Sequence, residues 1–324
     1  MAFRRSWVRS PSAPFSFHGL LMFRSLFIKK INRIIKKADS IDIDEKSRII
    51  IFSDCHRGHG DRSDDFFHNQ YVYINALKHY IKNGYTYIEL GDGDELWENA
   101  NFKLISERYR VIYQMFDQLH KENRFRFIWG NHNRRWKNSF LFKKQFGKVI
   151  DEQSRLEVKL LEGLKAEEAI ILRFKKRKDK EILLIHGHQG EILNDTLWWF
   201  GRFFIRVFWR FIQMRFGAAD PTSPARNFRI RKKIDLRFMD VAEKKKKGVI
   251  IGHTHFPIFP DPGEVPYFND GSCVHPRCIT GIEIEKGSIK LVKWLYAQNG
   301  SGYLKLRKEV ISGPVKIDKL LKFN

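Results

Sequence analysis

The stretch Tyr87-Ile88-Glu89-Leu90-Gly91-Asp92-Gly93-Asp94-Glu95-Leu96-Trp97 decides how this chain is read. A short apolar run breaks at a glycine, and a carboxylate follows where the extended segment stops. Open α/β sheets gather ligands at the carboxyl ends of their strands, which aims Asp92 at a site. One such carboxylate is an ordinary turn residue, but here the arrangement recurs. Residues 48–53 end in Asp54-Cys55-His56 and residues 125–129 in Gly130-Asn131-His132. Residues 181–185 end in His186-Gly187-His188, and residues 248–251 in Gly252-His253-Thr254-His255. Runs of this length, rich in β-branched and aromatic residues, read as strands buried on both faces.

In extended backbone, residues two apart share a face. Asp54 is therefore expected to point with His56, and His253 with His255, while Cys55 points away. Imidazole, carboxylate and amide oxygen together suit Mn, Fe or Zn, and the lack of thiolates argues against a closed structural zinc site. Taken singly, an Asp-x-His or a His-x-His is more often a solvated turn than a ligand pair. Five such strand ends in one chain point to a two-metal site.

These residues resemble the calcineurin-like metallophosphoesterases, whose marks are Asp-x-His, Gly-Asp, Gly-Asn-His, a later His-Gly and Gly-His-x-His. The resemblance spans residues 48–295. It implies an α/β four-layer sandwich, two mixed β-sheets flanked by helices. It also implies one metal held by Asp54, His56, Asp92 and His255, and a second held by Asp92, Asn131, His186 and His253, with Asp92 shared. Two divalent ions, Mn ahead of Fe or Zn, would clamp a phosphoryl group and lower the pKa of a bound water towards about 7. Asp92 and His132 take the catalytic roles, His132 beside the leaving group. The family often places Asp after Gly-Asn-His; Asn133 stands there in this chain.

The chain has 324 residues, enough for one large α/β domain with appendages. The expected divisions are a basic amphipathic appendage over 1–40, a hydrolase domain over 41–297 with a helical lid insertion at 190–247, and a basic tail over 298–324. Net charge is +23 and pI about 9.9, which predicts attraction to polyanions such as nucleic acid, anionic lipid or phosphorylated substrates. Three cysteines form no framework, so reduced thiols and a cytoplasmic setting are expected. Within the appendage, Leu20, Phe23, Phe27, Ile28, Ile31, Ile34 and Ile35 share one side of a helix, and Lys and Arg fill the other. Such a helix suits an anionic membrane surface; the alternative is a helix docked on its own domain. Its charge-broken apolar run does not read as a signal peptide, and Met22 is an alternative start to Met1.

Helices are expected over 64–82, 102–121 and 226–247, with a hairpin joining 169–174 to 181–185. Strands over 279–285 and 288–294 should complete the second sheet. Arg57 and His59 lie just past the first motif and are expected to touch phosphate, as are Arg134 and Arg135 for a second anionic group. In residues 198–212, Arg202, Arg206 and Arg210 form one stripe and nearly all else is aromatic or aliphatic. That apolar surface is wider than a soluble helix needs, yet the run is too short and too charged to span a bilayer.

The Asp92-x-x-Glu95-x-Trp97 pattern and this insertion resemble the UDP-2,3-diacylglucosamine diphosphatases. That resemblance implies a lipid-linked diphosphate substrate, Glu95 and Trp97 in substrate binding, a lid receiving acyl chains, and a peripheral place on the inner face of the cell membrane. The subgroup commonly has Arg where this chain has His132. A nuclease or nucleotide phosphodiesterase is the first rival. It gains from the net charge, but the bulky aromatics are clustered rather than spaced as base-stacking platforms. A protein phosphatase has no feature in its favour. A non-catalytic membrane-surface binding protein is opposed by the complete ligand set.

Overall fold

Alternate side chains of Arg48–Phe52 face opposite layers: Ile49 and Ile51 enter one buried cluster, Ile50 and Phe52 another. The computed structural model describes residues 17–61, 64–150, 156–175, 177–190, 227–298, 300 and 302–322. Its strands begin β1 (Asp39–Ile43), β2 (Arg48–Phe52), β3 (Thr86–Leu90) and β4 (Phe125–Ile128), followed by a small hairpin of β5 (Lys148–Ile150) and β6 (Glu157–Lys159). They continue with β7 (Ala166–Glu167), β8 (Ala169–Phe174), β9 (Arg177–Ile185), β10 (Gly248–Ile251) and β11 (Tyr267–Asn269). The last three are β12 (Cys278–Glu285), β13 (Ser288–Gln298) and β14 (Leu304–Lys316). The helices are α1 (Phe17–Lys37), α2 (Gln70–Lys82), α3 (Phe102–Arg108), α4 (Arg110–Lys121), α5 (Ser139–Gln145), α6 (Phe228–Lys245) and a short α7 (Ile317–Leu320).

Two mixed sheets result, one ordered β14-β13-β12-β2-β3-β4-β7 and the other β1-β8-β9-β10-β11. Ile49, Ile51, Ile88 and Leu90 of the first face Ile170, Leu172, Ile182 and Leu184 of the second in the core between them. The outer face of the first sheet is covered by α2, α3 and α4 through Tyr73, Tyr80, Ile105 and Phe116. On the outer face of the second lie α1 and α6, through Phe27, Ile31, Ile34, Phe238 and Val241. The architecture is therefore the four-layer α/β sandwich expected. Strands β2, β3 and β4 run parallel, as do β9 and β10, so both sheets bring carboxyl ends to one edge.

Several expectations change. From Phe27 onward the apolar side of α1 is turned onto its own domain: Ile31 is 0% exposed and Phe27 packs edge-on against Phe238. β1 then pairs with β8, so in the segment assigned to an appendage α1 packs on the second sheet from Phe27 onward and Asp39 and Ser40 pair within it. The basic tail is also structural, since β14 pairs along β13, and Ile317, Leu320 and Leu321 enter the core between the sheets. β12 and β13 extend the sheet of β2, whereas β11 completes the other. The helix expected over 102–121 breaks at Tyr109, which leaves helical geometry with its amide bonded back to the Ile105 carbonyl. No helix among the described residues is long and apolar enough to cross a membrane. The aromatic run at 198–212 and the lid expected around it lie outside the described residues up to Asn227.

Candidate metal centre

The candidate ligand residues sit one to four positions past the strand ends, where the chain turns sharply. Asp54, His56, Asp92, His253 and His255 all have φ between 50° and 65°. They are five of the ten non-glycine residues with positive φ among those described. Left-handed backbone is costly for such side chains and collects at functional sites when the surroundings over-determine it. Asp54 and His56 do share a side, with Cys55 buried on the other, but not for the reason expected of extended backbone. Two left-handed residues flank Cys55, and the loops are held by Asp54 N to Gly91 O at 3.0 Å and His56 N to Asp92 O at 2.9 Å.

Glycines permit the close approach. A Cβ on Gly130 would lie 2.7 Å from the Asp92 amide nitrogen and nearer still to its carboxylate. One on Gly252 would lie 2.6 Å from Asp54 Oδ2. The Gly-Asp, Gly-Asn-His and Gly-His-x-His motifs thus keep their glycines to let neighbouring loops touch.

Three groups of side chains converge: Asp54 with His56 and His255, His56 with Asp92 and His132, and Asp92 with His186 and His253. His255 Nε2 is 3.0 Å from Asp54 Oδ1 and 3.3 Å from His56 Nε2. His186 Nε2 is 3.0 Å from Asp92 Oδ2 and 4.0 Å from Asp54 Oδ1, so the two halves adjoin. Asp54 Oδ1, Asn131 Oδ1 and His186 Nε2 are buried yet have no aligned hydrogen-bond partner among the described residues. Buried polar atoms are otherwise paired almost without exception. His186 and His255 each set Nε2 3.0 Å from an aspartate oxygen, a crowding of nitrogen and oxygen ligand atoms in which a cation could take the place of the protons. These residues could hold metal ions through an oxygen and nitrogen ligand set.

The other atoms of the same residues are tied down. The second oxygen of Asp54 accepts from the His253 amide at 2.8 Å, and the Ser53 hydroxyl, with one proton to donate, lies between it and Asp270 Oδ1, the latter 2.7 Å away. Asp92 Oδ1 accepts from the His132 amide at 2.8 Å. His186 Nδ1 donates to the Leu90 carbonyl at 2.9 Å, which turns Nε2 towards the carboxylates. Burial opposes ionisation of Asp92, but His186 and His132 hold its carboxyl down at about 2. Burial likewise opposes charge on His186, and Asp92 with Asp54 carries it up to about 9. Such a pair, charged together in the metal-free protein, binds a cation only by releasing the His186 proton.

The remaining predicted contacts divide. Arg57 does not reach the site as a phosphate ligand. It is fully buried, with Nη1 2.7 Å from Glu89, Nη2 2.9 Å and Nε 3.0 Å from Asp94, and its guanidinium over the rings of Tyr113 and Phe116. It fastens β3 to the loop after Asp92. Glu95 is likewise buried: Oε2 faces the Nδ1 atoms of His56, at 3.0 Å, and His132, while Oε1 accepts from the Trp97 amide. The Trp97 ring stacks on His132, 4.4 Å between centroids, and its Nε1 donates to Asn131 O at 2.7 Å. Both residues grip the site's own side chains instead of lining an open substrate surface. Arg135 donates to the Ala100 carbonyl, and Arg134 is half-buried with Glu168 as its acidic neighbour. His59 is half-buried in the loop after Arg57. Asn133 caps its own turn, accepting from Gly130 N at 2.6 Å.

One residue escaped the sequence reading. His188 is fully buried against the Trp129 ring, 5.3 Å away, with neither ring nitrogen hydrogen-bonded among the described residues. Its place beside His186, in His-Gly-His, was the available signal.

No protein-family model matches the chain, and neither does any curated protein. A solved structure, Vps29 of Chaetomium thermophilum, is similar over 82% of this chain and 96% of its own, at 10% identity and a TM-score of 0.35. That likeness is too slight to assign a family or an activity.

Proposed function

We propose that the chain is a hydrolase of phosphoric esters or diphosphates that works with two divalent ions. The observation carrying this is the set of buried, unaligned donor atoms, Asp54 Oδ1, Asn131 Oδ1 and His186 Nε2, brought from three loops to one edge of two sheets. Asp54, His56, Asp92 and His255 would hold one ion, and Asp92, Asn131, His186 and His253 the other. Ions bound there supply Lewis acidity towards phosphoryl oxygens and a nucleophilic water at neutral pH. The chain's own part is orientation and proton transfer. His132, its side chain 24% exposed at the rim of the cluster, would give a proton to the departing oxygen as the P–O bond breaks. Its amide on Asp92 and its ring against Trp97 hold it in one attitude.

The finer reading is a diphosphate joined to a lipid, of the kind represented by UDP-2,3-diacylglucosamine, met at an anionic membrane surface. Its support is the aromatic and arginine-striped run at 198–212 and a net charge of +23. With α1 buried against its own sheet, membrane contact would fall to that run. A hydrolysis panel in Mn tests both levels. It compares UDP-diacylglucosamine, bis(p-nitrophenyl) phosphate, p-nitrophenyl phosphate and single-stranded DNA. Turnover of the lipid diphosphate is expected; turnover of soluble substrates alone would remove the lipid reading, and none with any substrate would remove the hydrolase.

A further inference from the structure

Glu95 occupies an unusual position. A single oxygen, Oε2, lies 3.0 Å from His56 Nδ1 and in hydrogen-bond contact with His132 Nδ1. The two rings meet edge to face at 4.5 Å, so the carboxylate spans the gap beneath both. Its other oxygen accepts from the amides of Trp97, at 2.9 Å, and Glu98, at 3.2 Å. All four neighbours are donors, and the residue is 5% exposed. Asn133, which follows His132, cannot take this part because its side-chain oxygen is bound to Gly130 N.

We propose that Glu95 is a positioning residue that couples the first half-site to the proton donor. By accepting from both Nδ1 atoms it turns His56 Nε2 towards Asp54 and His255, and His132 Nε2 outward to the leaving group. Resting on the hydrolase reading, this makes one carboxylate set both the ligand geometry and the acid geometry. A neutral amide cannot replace it. However Gln is turned, its NH2 confronts either the two imidazole Nδ1–H groups or the two backbone amides, and one pair of donors is left opposed.

The test uses the full chain and Glu95→Gln. In the metal-free wild type, NMR of histidine side chains should show two strongly deshielded Nδ1 protons, on His56 and His132, and both should be lost or moved upfield in the variant. If the wild type lacks them, or if the variant keeps them unchanged, the proposal is overturned; the wild-type spectrum alone decides this should the variant not fold. In the Mn-loaded protein, kcat for a diester with an alkyl leaving group should fall by about 10²-fold or more, and for a p-nitrophenyl ester by less than about tenfold, with KM little changed. An equal fall for both esters together with loss of bound metal would overturn the His132 half. Should the wild type hydrolyse nothing, the hydrolase reading fails, while the two resonances still decide what Glu95 holds.

Discussion

Arg57→Met isolates the contribution of the buried ion triad beneath the metal loops. Methionine keeps an unbranched stem among Tyr113 and Phe116 but deletes the cation. Two charge-assisted hydrogen bonds disappear, at 2.7 Å to Glu89 and 3.0 Å to Asp94, together with a 2.9 Å ion contact from Nη2 to Asp94. Asp94 retains the Tyr113 hydroxyl, at 2.5 Å, and Trp136 Nε1, at 3.4 Å. Glu89 retains nothing comparable, since its Oε2 already has no hydrogen-bond partner and the residue is 0% exposed. Removing one partner from a buried charge pair costs about 3–5 kcal/mol, a large part of the roughly 5–15 kcal/mol that keeps a domain folded. The sign of its pH dependence follows from Glu89. Burial raises its carboxyl even with Arg57 beside it, and the raise becomes larger without the cation. An acid whose folded pKa is raised loses stability as pH climbs above its unfolded value near 4.5. Equilibrium urea unfolding of chelated protein should therefore show a deficit of about 3–5 kcal/mol near neutral pH that shrinks on acidification and is partly recovered by adding Glu89→Gln. A loss under about 1 kcal/mol, or one unchanged from about pH 5 to 8, would refute the reasoning.

Three further outcomes are expected. Gly130→Ala places a methyl against the Asp92 backbone, so the Asn131 loop must withdraw; elemental analysis should find the second ion lost and hydrolysis reduced about 10²-fold, and retention of two ions would speak against it. Ile31→Ala, at a fully buried position of α1, should cost about 2–5 kcal/mol in urea unfolding, whereas a helix reserved for membranes would tolerate it. Glu167 is pushed up to about 7, first by burial and then by Asp39, and its Oε2 has no hydrogen-bond partner. Its folded pKa lies above the unfolded one, so stability declines as pH rises from about 4.5 to 7; Glu167→Gln should raise the melting temperature above pH 7 and leave it unchanged near pH 4.

The strand ends were legible because runs buried on both faces are mostly apolar, Glu89 with its buried Arg57 partner excepted, which makes Asp92, His186 and His253 conspicuous. What stayed hidden depended on partners distant in sequence. Nothing near Arg57 announces that Glu89, one strand away, will neutralise it, so its closeness to Asp54 suggested phosphate. Glu95 was visible in a pattern, but its two imidazole partners come from different loops. The helical period of α1 showed an apolar face without showing what covers it; β8 and β9 do. Left-handed backbone at Asp54 and His253 has no local mark either, since tertiary contacts impose it.

Asp92 is the residue on which both half-sites depend, touching His186 through one oxygen and the His132 amide through the other. Counting bound manganese per chain by elemental analysis after equilibrium dialysis is the most direct test. Two ions on the wild type and fewer than one on Asp92→Ala are expected; a wild type that binds none, or a variant that keeps both, would contradict the account.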